Sequence, residues 1–204
     1  MMEIRPTRSG LIEVKRRIEI AKKGWELLKR KRDALVSEFF KIMEQTAELR
    51  RKVNEKYAKA YEKLSLAKAV EGTPAIVSAA MSVREAPEID VSFKNIMGVK
   101  VPKVKSKGKI KRKIWERGYG ILGTSTLIDE VSKEYEELLE MGVKLTELEN
   151  TLVRLLDEID KNKRRVNALE YIVIPNLERT SREIRFKLEE MEREDIFRLK
   201  RFKR

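Results

Sequence analysis

The chain has 204 residues and a formal net charge of +13; 40% of its residues are charged and 41% hydrophobic. That charge exceeds the roughly one quarter typical of globular domains, yet the apolar content is too high for a disordered tail. Such a balance fits helices that bury a narrow seam and solvate the rest. Cysteine and histidine are both absent, which excludes disulfides, zinc fingers, thiol nucleophiles and histidine acid–base chemistry.

The charge is uneven. Residues 1–70 hold 19 Lys/Arg against 10 Asp/Glu, residues 71–123 hold 11 against 5, and residues 124–204 hold 17 against 19. The basic surplus is available to an acidic partner, nucleic acid or protein. No window approaches the ~20 apolar residues of a membrane span. The N-terminus lacks the apolar core of a signal peptide, so a soluble intracellular chain with no direct membrane insertion is expected.

Residues 1–71 read as a coiled-coil helix. From Leu11, apolar residues recur in alternating steps of three and four through Val14, Ile18, Ala21, Trp25, Leu28, Leu35, Phe39, Ile42, Leu49 and Val53, with Arg32 and Thr46 as polar exceptions. Beyond Val53 the ladder takes a second consecutive four-step to Tyr57, then continues through Ala60, Leu64 and Ala67. That stutter would locally unwind a supercoil. Thr7 or Ser9 can cap the start, and Gly72-Thr73-Pro74 ends the helix. Some sixty residues at about 1.5 Å each give roughly 90 Å, too long for an ordinary globular helix.

Residues 72–123 form an insert that breaks the heptads. Ile76 to Val83 is a small-residue run with helical character. Ile89, Val91 and Phe93 alternate with polar residues, as do Val99 and Val101, which predicts a short β-hairpin around Asn95 to Gly98. The run KVKSKGKIKRK from Lys103 to Lys113 reads as a flexible basic loop. Gly118, Gly120 and Gly123 lack a preceding strand and the Lys-Ser/Thr of a P-loop, so they read as a helix-entry turn.

Residues 124–204 read as the second coiled-coil helix, capped by Ser125 or Thr126. Ile128, Val131 and Tyr135 lead into Leu138, Met141, Leu145, Leu148, Leu152, Leu155, Ile159, Asn162, Val166, Leu169 and Val173. Leu177, Ile184, Leu188 and Met191 follow, with Pro175 inside the pattern. An interior proline costs about 3 kcal/mol and kinks a helix, so a bend near 171–175 is expected rather than a stop. Gly24 and Gly142 lie beside seam positions, where glycine costs about 1 kcal/mol relative to alanine. Their presence points to close approach by another helix or a partner. Trp25 reads first as a packing residue and second as a partner anchor.

Two long ladders joined by a compact insert pair most simply by folding back on each other. The expected fold is therefore mainly α: a long antiparallel two-helix coiled coil of N- and C-terminal helices, with a small insert containing a short helix and a β-hairpin. Neighbouring carboxylates such as Glu136 and Glu137, or Glu189 and Glu190, face different ways on a helix and form no acid–base pair. No catalytic, cofactor-binding or metal-ligating constellation emerges.

Two end segments carry a resemblance. PTRSGLIEVKRRIEIAKKGWELLKRKRDAL (Pro6 to Leu35) resembles the opening helix of the D subunit of the V-type/A-type ATPases and ATP synthases. RRVNALEYIVIPNLERTSREIRFKLEEMEREDIFRLKRFK (Arg164 to Lys203) resembles its closing helix, and the helix–insert–helix order is similar. The resemblance implies a non-catalytic central-stalk rotor subunit that couples ATP hydrolysis or synthesis in a hexamer to ion translocation through a membrane sector. Its implied partners are the catalytic and regulatory subunits of that hexamer, the F subunit of the stalk, and a funnel-like subunit linking to the membrane ring. Its implied place is the inner face of the cell membrane, in a peripheral complex. The F subunit would meet roughly residues 45–70 and 125–150, with the hairpin as a further, regulatory contact. Two basic patches would suit acidic loops of the hexamer: Lys22, Lys23, Lys29, Arg30, Lys31 and Arg32, and near the C-terminus Arg193, Arg198, Lys200, Arg201, Lys203 and Arg204.

Two rival readings come from other classes. A prefoldin-like holdase also joins coiled-coil helices through β-hairpins. A basic coiled-coil nucleic-acid binder would use the Lys103–Lys113 run, with Trp115 and Tyr119 for base stacking.

Overall fold

A computed structural model of the chain describes residues 7–83, 88–108, 110–120 and 124–202. Pro6, Lys109, Gly123, Lys203 and Arg204 lie outside the described residues. The elements are α1 (Arg8–Glu71), α2 (Thr73–Ser82), β1 (Ile89–Ile96), β2 (Val99–Ser106), a 3-10 turn (Ile114–Glu116), α3 (Thr126–Ala168), a π turn (Leu169–Val173) and α4 (Ile174–Phe202). They form two compact units, residues 1–36 with 158–204, and residues 37–157.

In the first unit the start of α1 runs antiparallel to the end of α3 and to α4. Partner numbers fall as α1 advances: Arg8 pairs with Glu192, Lys22 with Glu178 and Lys31 with Glu158. Thr7 begins α1 by accepting the Gly10 N–H at its hydroxyl, satisfying one orphan donor of the first turn. Val14, Leu35, Asn162, Val166 and Ile184 are buried. Leu11, Ile18, Trp25, Leu28, Ile159 and Leu169 are half-buried.

At Pro175 a bend rather than a stop is expected. The helix continues, and the irregularity is a π turn just before the proline, in which the Ile174 N–H reaches the Leu169 carbonyl. Up to Leu169 the inward positions are Ile159, Asn162, Val166 and Leu169; beyond it they are Ile174, Leu177, Ser181, Ile184 and Leu188. The π turn thus adds one residue to the seam step, which turns Val173 outward and puts Ile174 in its place.

In the second unit the remainder of α1 pairs antiparallel with most of α3. Arg50 meets Glu149, Lys56 meets Glu137 and Lys63 meets Glu134. Ile42, Thr46, Ala60, Ala67, Ile128, Thr151 and Leu155 are buried, and Thr46 returns its hydroxyl to the Ile42 carbonyl. Leu145, Leu148 and Leu152 are half-buried. The stutter does not fall at Tyr57. Tyr57 is 51% exposed, whereas Lys56 is half-buried beside Glu137 and Ala60 is fully buried. The inward row Val53, Lys56, Ala60 keeps the three–four alternation; an ion-paired lysine stem occupies the place assigned to the tyrosine.

The insert belongs to the same unit. Gly72, with φ +81°, ends α1 and lets α2 start at once with Pro74 in its first turn. β1 and β2 pair antiparallel from Ile89–Ser106 to Ile96–Val99, joined by Met97-Gly98, both at positive φ. Asn95 accepts the Gly98 N–H and closes the turn. The basic run Lys103–Lys113 is not a flexible loop. Lys103 to Ser106 complete β2, Lys111 pairs with Glu137 and Glu140, and the Arg112 N–H reaches Glu136. Within the run, Lys111 and the Arg112 backbone thus reach the acidic face of α3.

Candidate interaction surfaces

The N-terminal basic patch is largely answered within the chain. Lys22 pairs with Glu178, Lys23 with Glu19, Arg30 with Glu26, Lys31 with Glu158 and Arg32 with Asp33. Lys29 places its ammonium 4.8 Å from the centre of the Trp25 ring. Trp25 itself donates from Nε1 to Glu170 at 3.2 Å. The lysine hydrogen bonds hold Glu178 and Glu19 below the usual carboxylate range. Such exposed pairs break readily against a better partner.

The C-terminal patch differs. Arg198 lies 3.6 Å from Glu194, but Arg193, Lys200 and Arg201 have no ion pair among the described residues. Interleaved with them are exposed apolar side chains: Ile196, Phe197, Leu199 and Phe202, the last 90% exposed. This end of α4 is apolar and cationic around its circumference. Apolar and cationic side chains therefore share the exposed surface of this helix end.

The second unit carries another surface. Tyr57 and Tyr61 stack at 6.3 Å between ring centres, both more than half exposed. Ile89, Val91 and Phe93 line one exposed face of β1, opposite Ser106, Val104 and Pro102 of β2. The other face of β2 buries Val99 and Val101.

The most enclosed polar cluster is one that spacing along the chain does not single out. Arg117, only 5% exposed, donates to Glu136 from Nε and Nη2 and to Asp129 from Nη1. Tyr119 donates its hydroxyl to the same Asp129 at 2.6 Å. Burial, and then the Asp129 bond, raise the Tyr119 pKa; burial opposes the Arg117 charge, but its bonds to Glu136 and Tyr119 outweigh that. A signal was present: Asp129 and Glu136 stand seven apart on one face of α3, just after an Arg-Gly-Tyr-Gly loop. These bonds tie the loop of Arg117 and Tyr119 to α3, so the cluster anchors the insert. Glu136 and Glu137 serve different partners, Arg117 and Lys56.

Gly24 and Gly142 are not sites of close helix approach, since a Cβ at either would meet nothing within 4 Å. Gly118 is the constrained glycine. Its φ is +87°, and a Cβ there would lie 2.7 Å from the Ser82 carbonyl oxygen. No three His, Cys, Asp or Glu among the described residues are placed to share a metal ion. No described helix is long and apolar enough to cross a membrane.

Comparison with known proteins covers nearly the whole chain. The family model for the ATP synthase D subunit matches residues 10–204. The A-type ATP synthase D subunit of Methanosarcina mazei is 52% identical over 201 residues, covering 98% of this chain and 96% of the relative. Its counterpart in Archaeoglobus fulgidus is 50% identical over 204 residues, covering 100% and 97%. That of Thermococcus gammatolerans is 47% identical over 203 residues, covering 100% and 94%. With a family model spanning nearly its full length and relatives matched end to end, the chain belongs to the family of ATP synthase D subunits.

Proposed function

We propose that this chain is the non-catalytic central-stalk shaft of a rotary A-type ATP synthase, coupling ATP synthesis or hydrolysis in a catalytic hexamer to ion translocation. Three segments divide the work: the coiled-coil segments 1–71 and 124–204 transmit torque through α1, α3 and α4, and the insert 72–123 shapes the surface for stalk partners. The observation that carries the reading is the end of α4, where Arg193, Lys200 and Arg201, with no ion pair among the described residues, alternate with exposed Phe197 and Phe202. An antiparallel helix pair with such an end suits insertion into a ring of subunits lined by acidic loops. Lys22, Lys23, Lys29, Arg30, Lys31, Arg32 and Arg198 extend the same contact.

The buried and half-buried seam positions of α1, α3 and the π turn hold the helix pair together: Leu11, Val14, Ile18, Trp25, Leu28, Leu35, Leu145, Leu148, Leu152, Leu155, Ile159, Val166 and Leu169. The F subunit binds the second unit, across residues 45–70 and 125–150, where Tyr57 and Tyr61 are exposed. The hairpin adds a regulatory contact, and the funnel-like subunit joins the stalk to the membrane ring. The complex lies on the cytoplasmic side of the cell membrane.

Reconstitution of the catalytic hexamer with this chain and the F subunit tests the reading. Co-purification at one copy per hexamer and a rise in ATPase turnover are expected. A hexamer that assembles and turns over identically without the chain would overturn it. A pull-down of the F subunit by the chain lacking residues 85–105 then locates that contact, full binding confining it to the helix pair. The rival readings gain no specific support. Tyr119 is buried and bound to Asp129, out of reach of a nucleic-acid base.

A further inference from the structure

The first unit brings three helix-weakening features to one level. Trp25 bonds to Glu170 and Lys22 pairs with Glu178, so Gly24 of α1 stands level with the π turn and Pro175. Glycine loosens a helix by giving its backbone more freedom in the open state. Nothing in the packing requires it here, because a Cβ at Gly24 would sit in open space. Across from it, the π turn sends the Ile174 N–H to Leu169 instead of Glu170. Pro175 has no N–H to offer the Tyr171 carbonyl. The Tyr171 and Ile172 side chains point away from the seam, 71% and 60% exposed, and contribute little burial.

On either side of this level the pair is well packed. Val14 and Ile184 are buried on one side, and Leu35, Asn162 and Val166 on the other. The bonds that cross the level, Trp25–Glu170 and Lys22–Glu178, are exposed and polar, so they break and re-form at small cost.

We propose that residues 22–25 and 169–175 form a compliant joint in the terminal helix pair, at which the packed end beyond it can bend or twist. The π turn holds the extra residue, and the Trp25–Glu170 bond opens and re-forms as the joint moves. The seam spacing gives the joint a further property. Removing one residue from the turn leaves Leu169 and Ile174 four apart, so Leu177, Ser181, Ile184 and Leu188 fall on an unbroken heptad. The joint is therefore separable from the packing around it, and it stands whether or not the chain is a rotor shaft.

Hydrogen exchange on the full chain tests this. Amides of residues 21–28 and 169–177 are expected to exchange about tenfold or more faster than those of 32–39 and 159–166, reflecting local opening. Gly24→Ala should slow exchange at 21–28 about fivefold, the factor that one such exchange carries in a helix. Deleting Ile172 should slow exchange at 169–177 without lowering the unfolding temperature. Uniform protection across these segments in the native chain would overturn the joint, as would a Gly24→Ala chain with unchanged exchange at 21–28. An Ile172 deletion that unfolds at markedly lower temperature would show the extra residue to be part of the packing, with the same consequence.

Discussion

Arg117 meets Glu136 at two points, Nε to Oε1 at 3.0 Å and Nη2 to Oε2 at 3.1 Å. Both side chains are largely removed from water, and Asp129 and Tyr119 close the cluster. Breaking a buried pair from one side strands the remaining charge. Arg117→Ala is expected to destabilise the chain by about 3 kcal/mol. Arg117→Lys should fall between it and the native chain, since an ammonium cannot match the two-point geometry. Urea denaturation gives the magnitudes, and faster proteolysis near residues 107–120 would place the loss in the insert. Equal stability of the alanine variant would refute the anchoring role.

Glycines at two positions should respond oppositely to alanine. At Gly118 the positive φ costs a side chain about 1–2 kcal/mol, and the Ser82 carbonyl blocks the Cβ besides, so Gly118→Ala should destabilise by more than about 2 kcal/mol. At Gly142, in the middle of α3 with open space, Gly142→Ala should stabilise by about 1 kcal/mol. Thermal melts of the two variants decide the sign of each.

Much of the fold is legible in the sequence because a heptad pattern reports which side of a helix is dry. Leu35, Leu155 and Val166 are buried where their spacing puts them. The misreadings share a cause, which is that spacing does not weigh partners. Tyr57 counts as apolar, but its neighbour Lys56 has Glu137 to meet and takes the inward place. Lys103 and Lys105 look like loop residues until Ser92 and Asp90 are found opposite them across the hairpin. Arg117 stayed hidden because its acids lie twelve and nineteen residues away on α3. The π turn adds a residue between Leu169 and Ile174, which the ladder through Val173 does not show.

Asn162 is completely buried in the seam, and its Oδ1 has no hydrogen-bond partner among the described residues. Its Nδ2 makes one long bond, 3.4 Å, to Glu158. A polar seam residue fixes register at a cost in stability. Asn162→Leu should therefore stabilise the chain by about 1–2 kcal/mol while permitting slipped or oligomeric pairings. Urea midpoints read the first effect and sedimentation the second. A less stable, strictly native-like variant would contradict both.

Stability should fall off on both sides of neutral pH. The bond from Lys56 holds Glu137 below the ordinary 4.5, and the bond from Lys22 does the same for Glu178. As pH falls, the unfolded chain takes up these protons first, so stabilisation present above about pH 4.5 is lost as pH drops through the lower folded values. Tyr119 is raised above 10.0 by burial and its Asp129 bond, and Tyr135 by burial and the nearby Tyr57 and Tyr61. Here the folded state keeps the proton longer, so stabilisation is intact below about pH 10 and lost above it. Urea midpoints across pH should trace that plateau, and Lys56→Met should flatten the acid limb. An acid limb unchanged by Lys56→Met would remove that pair from the account.

The two basic patches should behave differently in assembly. Substituting Lys22 or Lys23 leaves Glu178 or Glu19 without its cation and lowers the local net charge by one, while stability should hardly change because these pairs are exposed. Arg193, Lys200 and Arg201 have no such internal partner among the described residues, so their charge is available to another protein of the complex. Converting all three to glutamine should leave the melting temperature unchanged and weaken binding to the catalytic hexamer about tenfold or more at low salt. The same variant should lose most of its salt dependence, because the screened charges are gone. Binding titrations at low and high salt measure both effects. If instead the Lys22 and Lys23 variants lost more affinity than the C-terminal triple variant, the paired patch would be the principal contact: its lysines would have to leave Glu178 and Glu19 on assembly.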